Sequence, residues 1–329
     1  MSYQLNSNIY SDEVQQEPIR AGFGRGLLAA GEANDRIVAL CADLTESTQM
    51  HLFRNAFPER FVQTGIAEQN LVAVASGMAR AGKIPFASSY AAFNPGRNWE
   101  QIRTTVALNN QPVKVVGSHA GVSVGPDGAT HQMLEDIALM RVIPNMVVVA
   151  PGDSVEAEKA TLALANDDRP AYLRLAREKT AVFSTSESPF EIGKAYVLSE
   201  GNDVTLLGTG TMTYQLLVAA KLLSDWGISA EVVHVPTIKP LDEDCILSSV
   251  RKTGRVVAAE EAQVAGGFDG AVAELLSEKL PTPLKRIGIY DRFGESGEPA
   301  QLVKHFRLDG KSIAEDVQAW LQNTPKYHQ

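Results

Sequence analysis

The sequence predicts an α/β protein made of two doubly wound domains, each with helices on both faces of a mainly parallel sheet. Short β-rich runs alternate with amphipathic stretches along the whole chain. The run at 146–150 (Met-Val-Val-Val-Ala) is apolar on successive residues, which is typical of a strand buried on both faces of a parallel sheet. A chain of 329 residues is long enough for two domains of about 150 residues each.

In the first half of the chain, predicted strands alternate with predicted helices, as β-α-β crossovers require. The predicted strands cover 36–41, 86–90, 113–118, 146–150 and 171–175. The helical patterns cover 16–32, 67–81, 95–108, 132–140 and 153–165.

A polar, proline-containing stretch at 184–189 interrupts this pattern and predicts a boundary between a domain at 1–185 and a smaller one at 190–329. After it the alternation restarts. The predicted strands of the second half cover 204–207, 231–235, 256–260 and 286–290. Its predicted helices cover 212–226, 242–252, 269–278 and 312–322, and the first of them has an apolar face suited to packing on a sheet.

Composition and charge exclude several classes of protein. With 44% hydrophobic and 21% charged residues, the chain is globular in type. A net charge of −9 argues against nucleic acid or an anionic membrane as partner, because both attract clustered positive charge. The two cysteines, Cys41 and Cys245, form neither a disulfide framework nor a metal motif, which favours the cytoplasm. No apolar run approaches the ~18 residues of a membrane span, and the N-terminus has no signal-peptide pattern.

Two glycine-rich runs match nucleotide-binding motifs only in part. The run ending in Gly82-Lys83 follows G-x-x-x-x-G-K, but Ile84 stands where Mg²⁺ needs a hydroxyl ligand, so Gly82 is interpreted as a helix C-cap. Gly208-Thr-Gly210 lacks the third glycine of a dinucleotide fingerprint, and a tight strand-to-helix turn is expected there. No metal-ligand spacing of histidine, cysteine or carboxylate occurs, so no metal site is predicted on this chain.

Three segments have an unusual local composition. In Thr-Gly-Ile-Ala-Glu68-Gln-Asn the carboxylate lies at a predicted helix start, where it either complements the helix dipole or lies in a dry pocket that would raise its pKa. Tyr90 and Phe93 lie at the carboxyl end of a predicted strand, either as ordinary core or as rings that stack on a flat heteroaromatic ligand. A glycine-rich loop at 119–132 holds two histidines and an aspartate, which favours a functional site.

Together and in this order, these segments resemble those of the transketolase family of thiamine-diphosphate enzymes, over about residues 16–325. The motifs that carry the resemblance are G-I-A-E-Q-N at 65–70, S-x-x-x-F at 89–93, D-G-x-T-H-Q at 127–132 and R-x-x-P-N-M at 141–146. In the second half, Gly-Thr-Gly after the first strand and the run at 260–267 also fit. The resemblance implies a pyrimidine-binding domain followed by the family's C-terminal domain.

One part of the family pattern is missing. The family's diphosphate-binding domain has a G-D-G motif and a later Asn-Asn pair, which hold Mg²⁺ and the diphosphate; neither is found here, since Asp127-Gly128 follows Pro126. The resemblance therefore implies the C-terminal half of a split transketolase. Thiamine diphosphate would bind between this chain and an N-terminal, diphosphate-binding subunit that supplies the Mg²⁺ ligands, in an α2β2 assembly.

The resemblance also assigns roles on the cofactor side of the site. Glu68 matches the glutamate that hydrogen-bonds the pyrimidine N1′ and so activates the cofactor. Tyr90 and Phe93 match the aromatic residues that enclose the pyrimidine, and Asp43 matches a site residue that faces the dimer partner. Gly96 departs from the family, which often has a further aromatic at this position.

On the substrate side, Asp127 and His131 match residues that contact the sugar hydroxyls near the reacting carbons, and His131 is assigned to catalysis with Glu68. The residues that match the family's phosphate-end cluster are Arg20, Ser47, His119 and Arg177. Two arginines, a hydroxyl and a histidine suit a sugar phosphate because they combine charge with a bidentate fork.

The implied activity is transfer of a two-carbon ketol unit from a ketose phosphate to an aldose phosphate, by an enzyme that is active only with its partner subunit. Three alternatives remain open. A subunit of a 1-deoxyxylulose-5-phosphate synthase-like enzyme shares two of the motifs, but that family is normally one long chain. In the β subunit of a 2-oxo acid dehydrogenase the glutamate precedes the Gly-Ile pair. A non-catalytic scaffold subunit is disfavoured by the joint presence of Glu68, His131 and the two arginines.

Overall fold

The structure of the protein is a computed structural model, which describes residues 3–11 and 13–326. The strands are β1 (Gln16–Pro18), β2 (Ile37–Cys41), β3 (Phe61–Gln63), β4 (Ile84–Tyr90), β5 (Lys114–Ser118), β6 (Val147–Val149), β7 (Ala171–Arg174), β8 (Lys179–Ala181), β9 (Tyr196–Ser199), β10 (Val204–Gly208), β11 (Ala230–His234), β12 (Thr237–Lys239), β13 (Val256–Gln263) and β14 (Leu284–Ile289). The helices are α1 (Ile19–Ala33), α2 (His51–Ala56), α3 (Glu68–Arg80), α4 (Trp99–Gln101), α5 (Asp136–Arg141), α6 (Ser154–Ala165), α7 (Met212–Asp225), α8 (Glu243–Thr253), α9 (Phe268–Lys279), α10 (Pro299–His305) and α11 (Gly310–Gln322). A π-helix at Ile102–Ala107 continues α4.

The strands form a seven-stranded sheet in the order β12-β6-β7-β5-β4-β2-β3, a five-stranded sheet in the order β14-β13-β10-β11-β9, and a ribbon of β1 with β8. In the two larger sheets only the edge strands β12 and β9 pair in antiparallel fashion. Every residue of β2 and β6 is buried, which explains their uninterrupted apolar sequence. The predicted fold class, with mainly parallel sheets in both halves of the chain, is confirmed.

Helices cover both faces of the seven-stranded sheet. On one face, α1, α2 and α6 bury side chains such as Phe23, Phe53 and Leu164 against the strands. On the other, α3 and the π-helix pack together with residues of the second half of the chain, among them Phe268. The five-stranded sheet has its own core with α7 and α11. Among the described residues, no helix combines the length and apolarity that a bilayer crossing requires.

Three predicted helices begin later than expected. The helix predicted from residue 16 begins at Ile19, because Gln16–Pro18 form strand β1. The segment predicted as helix from residue 95 runs in turns until Asn98, because Asn94 Nδ2 donates to the carbonyl oxygens of Ala87 (2.9 Å) and Val116 (3.1 Å) and so fixes a non-helical path. The segment predicted at 132–140 begins as a helix only at Asp136, since Met133 forms an isolated bridge with Ala120. The helix C-cap expected at Gly82 is supported by its φ of 88° just after α3.

Strand β12 belongs to the second half of the chain but completes the sheet of the first half. It pairs with β6, with Thr237 opposite Val149. Lys239 Nζ extends this contact by donating to the carbonyl oxygens of Arg141 (2.9 Å) and Ile143 (2.6 Å). The two halves therefore share a sheet, and the division at 1–185 and 190–329 stays a prediction.

Candidate active site

The residues singled out from the sequence converge on the carboxyl edge of the seven-stranded sheet. Tyr90 ends β4, His119 follows β5, Asp43 follows β2 and Arg177 follows β7. Because these strands run in parallel, their carboxyl ends meet at one edge, although the residues are far apart in sequence. Open α/β sheets bind their ligands at such an edge.

Glu68 lies in the first turn of α3 and is only 2% exposed. Its carboxylate Oε2 accepts a hydrogen bond of 2.9 Å from Nη1 of Arg97, whose side chain is half exposed. Its carbonyl oxygen accepts from Asn98 Nδ2 at 2.8 Å. The carboxylate therefore begins a helix and is buried, with a half-exposed guanidinium as its partner.

Four rings cluster at the same sheet edge, and one of them, Phe93, shares the guanidinium of Arg97 with the Glu68 carboxylate. Tyr90 and Phe93 lie nearly parallel, with ring centroids 6.2 Å apart and planes at 18°. His119 stacks on Tyr90 at 3.8 Å, and His131 meets Phe93 edge-on at 5.5 Å. A buried carboxylate and flat aromatic faces at one sheet edge suit a heteroaromatic ring that has a basic nitrogen.

Gly96, where the family often has an aromatic residue, leaves no room for a side chain unless the neighbouring backbone shifts. A Cβ built there would lie 2.8 Å from the carbonyl carbon of Ala92. Instead, the guanidinium of Arg97 lies over the ring of Phe93, 4.8 Å from its centroid. Arg97 thus contacts both an aromatic ring and the Glu68 carboxylate.

The ribbon of β1 and β8 brings two arginines together. Pro18 pairs with Lys179, so that Arg20 at the start of α1 lies next to Arg177, which precedes β8. Arg20 Nε donates to the carbonyl oxygen of Arg177 (3.2 Å), and its Nη1 donates to that of Ser47 (2.5 Å). Burial and the adjacent charge of Arg177 lower the pKa of Arg20. Neighbouring guanidinium groups are an arrangement that commonly binds anions in proteins.

His119 is part of this cluster but does not add charge to it. The residue is buried and has a φ of 59°, and its Nδ1 lies 2.8 Å from Ser118 Oγ. Burial, together with the charges of Arg20 and Arg177, lowers the pKa of His119 to about 3. At neutral pH the ring is uncharged, so it offers a hydrogen bond and a flat surface.

The two aspartates of the predicted site lie at the surface. Asp43 has a φ of 59° and its backbone N–H donates to Gln63 Oε1 at 2.7 Å. Asp127 lies in the loop that also holds His131, whose Nδ1 is 2.9 Å from Thr130 Oγ1. Among the described residues, neither aspartate side chain has a hydrogen-bond partner, so within the chain they are not joined to the cluster of rings and arginines.

Sequence reasoning missed Arg97, which is the charged partner of Glu68. The residue lies in a segment that was predicted as an ordinary helix, and nothing local links it to a carboxylate many residues away. Within the described part of the chain, no group of three or more histidine, cysteine or carboxylate side chains is arranged to hold a metal ion.

Two family models match the chain. The model of the transketolase pyrimidine-binding domain matches residues 16–182, and that of the transketolase C-terminal domain matches residues 193–313. The first range contains every side chain of the cluster of rings and arginines described above.

Individual relatives agree with these matches. The chain is 45% identical over 302 residues to a putative transketolase C-terminal section from Methanocaldococcus jannaschii, covering 91% of this chain and 95% of that protein. It is 43% identical over 287 residues to a 6-deoxy-6-sulfo-D-fructose transketolase subunit from Clostridium sp. (strain MSTE9). This match covers 87% of this chain and 89% of that subunit. Its fold matches that of a split-gene transketolase solved as an inactive β4 tetramer, with a TM-score of 0.87 and 42% identity. The match covers 94% of this chain and 99% of that chain.

Proposed function

The chain belongs to the transketolase family, and we propose that it is the C-terminal subunit of a split transketolase, which transfers a two-carbon ketol unit from a ketose phosphate to an aldose phosphate. The observation that carries this proposal is one sheet edge that holds the buried carboxylate of Glu68, stacked rings linked to it through Arg97, and a pair of arginines. A cofactor ring and a substrate anion would thus be held side by side.

The residues present fit the pyrimidine of thiamine diphosphate. Glu68 would hydrogen-bond the ring nitrogen and exchange a proton with it, and Tyr90 and Phe93 would enclose the ring. Asp43, exposed at the end of β2, would face the partner side of the site. Thiamine diphosphate, when bound, supplies the carbanion chemistry that ketol transfer needs, while the chain supplies binding, orientation and proton exchange.

The substrate would lie between the rings and the arginines. Arg20 and Arg177 would bind its terminal anion, with Ser47 and the neutral ring of His119 adding hydrogen bonds. Asp127 and His131 would contact the sugar hydroxyls near the reacting carbons, and His131 would donate or accept a proton there.

A sulfonated sugar is a second candidate substrate class. One relative is named as a subunit of a transketolase for 6-deoxy-6-sulfo-D-fructose. Phosphate and sulfonate both present three oxygens to a guanidinium pair, so the same cluster would suit either group. A comparison of the two donors in one assay separates these candidates.

The diphosphate and Mg²⁺ would be held by a separate N-terminal subunit, in an α2β2 assembly. This part of the proposal rests on the missing G-D-G motif and on the relatives that are themselves C-terminal sections or subunits. The inactive β4 tetramer of the split-gene relative is consistent with a chain that needs its partner for activity. The cysteine usage supports a cytoplasmic location for the complex.

The test is a ketol-transfer assay with xylulose 5-phosphate, ribose 5-phosphate, thiamine diphosphate and Mg²⁺. We expect activity when this chain is mixed with an N-terminal subunit that has the G-D-G motif, and none with either chain alone. The Glu68→Ala variant should fold and associate but should be inactive in the mixture. Activity of this chain alone would refute the split assignment, and turnover of pyruvate in place of the ketose would favour the synthase or dehydrogenase alternative.

A further inference from the structure

The loop at 119–132 has little regular structure of its own. Two single turns of 3-10 helix, Val122–Val124 and Gly128–Thr130, are its only helical parts. Three of its glycines adopt positive φ angles, with Gly121 and Gly125 both at 88°. Such a segment needs contacts from outside to hold one conformation.

One outside contact comes from Glu261 on β13, in the second half of the chain. Its Oε1 accepts a 2.7 Å hydrogen bond from the backbone N–H of Ser123, in the middle of the loop. Its Oε2 accepts from Thr211 Oγ1 at 2.7 Å, which orients the carboxylate. The side chain is buried, so water does not compete for these bonds. The approach is so close that a Cβ at Gly121 would lie 2.5 Å from the carboxyl carbon.

A second outside contact runs through Gln132, the last residue of the D-G-x-T-H-Q motif. This buried side chain places Nε2 within 3.1 Å of the Val122 carbonyl oxygen and within 3.2 Å of that of Gly125, so it binds the two ends of one turn. The same nitrogen is 2.8 Å from the carbonyl oxygen of Glu295, between β14 and α10. The amide therefore links the loop to the second half of the chain.

We propose that Glu261 and Gln132 are positioning residues through which the C-terminal half of the chain holds the 119–132 loop in the conformation that sets Asp127 and His131 against the substrate. The proposal rests on the ketol-transfer function proposed above. It gives the C-terminal half, which contributes no side chain to the cluster of rings and arginines, a defined part in catalysis.

The first experiment needs only the isolated full chain. Hydrogen–deuterium exchange is followed in peptides that cover the loop, for the wild type, Glu261→Ala and Glu261→Gln. Losing a hydrogen bond to a charged acceptor should speed exchange at Ser123 and its neighbours by about tenfold or more. The Glu261→Gln variant keeps a carbonyl oxygen as acceptor and should restore most of the protection.

A matched control lies one residue earlier on the same strand. Glu260 is also fully buried, but its carboxylate accepts from the N–H groups of Phe268 (2.8 Å) and Asp269 (2.9 Å) at the start of α9, and not from the loop. Glu260→Ala should therefore speed exchange at the start of α9 and leave the loop unchanged. Equal loop exchange in the two alanine variants would overturn the proposal.

The second experiment uses the enzyme reconstituted with its partner subunit. Glu261→Ala should lower kcat/KM for the ketose phosphate by about tenfold or more. The affinity for thiamine diphosphate should stay within about twofold, because Glu68, Tyr90 and Phe93 lie outside the loop. Faster loop exchange with unchanged ketol transfer would overturn the positioning role. If the wild-type mixture shows no ketol transfer, the proposed function fails, and with it the assignment of a substrate to the loop; the exchange data still decide whether Glu261 holds the loop.

A second variant keeps the test available if Glu261→Ala does not fold. A Cβ at Gly294 would lie 2.8 Å from Cδ of Gln132, and the φ of Gly294 is not in the left-handed region that disfavours alanine. Gly294→Ala should displace the flexible glutamine amide without removing a buried charge. Like Glu261→Ala, it should speed hydrogen exchange in the loop and lower kcat/KM. Wild-type hydrogen exchange together with wild-type kcat/KM would contradict the role of Gln132.

Discussion

The lowered pKa of His119 predicts that the folded chain loses stability on mild acidification. Its ring lies among Ser118, Tyr90, His131 and the two arginines, and burial with the charges of those arginines lowers its pKa from 6.5 to about 3. Between these two values the unfolded chain binds a proton that the folded chain does not. The free energy of unfolding must therefore fall as the pH falls from about 6.5 towards 3, and this contribution is absent above pH 7.

The size of the effect follows from the shift. Each pH unit inside this window costs about 1.4 kcal/mol. At pH 5, about one and a half units below the ordinary pKa, His119 should reduce the free energy of unfolding by about 2 kcal/mol relative to pH 7. An anion bound next to the two arginines would offset the charges that depress this pKa, so inorganic phosphate should reduce the loss.

The assay compares urea unfolding of the wild type and His119→Asn at pH 7 and pH 5, at one subunit concentration. Asparagine tolerates the positive φ of this position and does not titrate. Between pH 7 and pH 5, the free energy of unfolding should fall by about 2 kcal/mol more in the wild type than in the variant. His305→Gln, which replaces an exposed histidine, is the matched control. Its free energy of unfolding should fall by the same amount as that of the wild type. An equal loss in the wild type and His119→Asn would refute the reasoning.

Three further predictions concern the neighbouring residues. Arg177→Ala should raise the KM for the ketose phosphate by about 10- to 100-fold in steady-state kinetics of the reconstituted enzyme, and an equal effect on an unphosphorylated sugar would contradict its role. Arg97→Ala should lower the free energy of unfolding by about 1–3 kcal/mol, because Glu68 loses its charged partner; in urea unfolding, the cost should shrink in a Glu68→Gln background. Gly96→Ala should cost about 1–3 kcal/mol by the clash described, whereas Gly77→Ala, with open space at its Cβ, should cost nothing.

Local sequence patterns predicted the parts of the fold that depend on local burial. The strand β2 was found within one residue of its predicted start because all of its side chains are buried, which gives an apolar run that can be recognised. The strand β12 has only three residues, which are too few to show a hydrophobic pattern. Its pairing with β6 depends on how the two halves of the chain pack. Asn94 similarly replaces the start of a predicted helix with turns, up to Asn98, through contacts with distant carbonyl groups.

In the candidate site, too, the features set by local sequence were predicted and those set by distant contacts were not. Glu68 was predicted because its motif and its helix start are local features. Its contact with Arg97 and the neutral state of His119 were not predicted, because both depend on which charges the folded chain brings together. The strand ends explain why the predicted residues nevertheless converge, since a parallel sheet places them along one edge.

The position of β12 has a consequence for synthesis on the ribosome. Strand β6 is complete once Val149 has been made, but its free edge is not covered until residues 237–239 have left the exit tunnel. During that interval an apolar strand has unpaired backbone groups and no neighbouring strand at that edge, and such transiently exposed apolar segments favour association between chains. Chaperone binding during translation is therefore expected to persist until β12 emerges, and a chain cut at residue 190 should aggregate instead of folding as an independent domain.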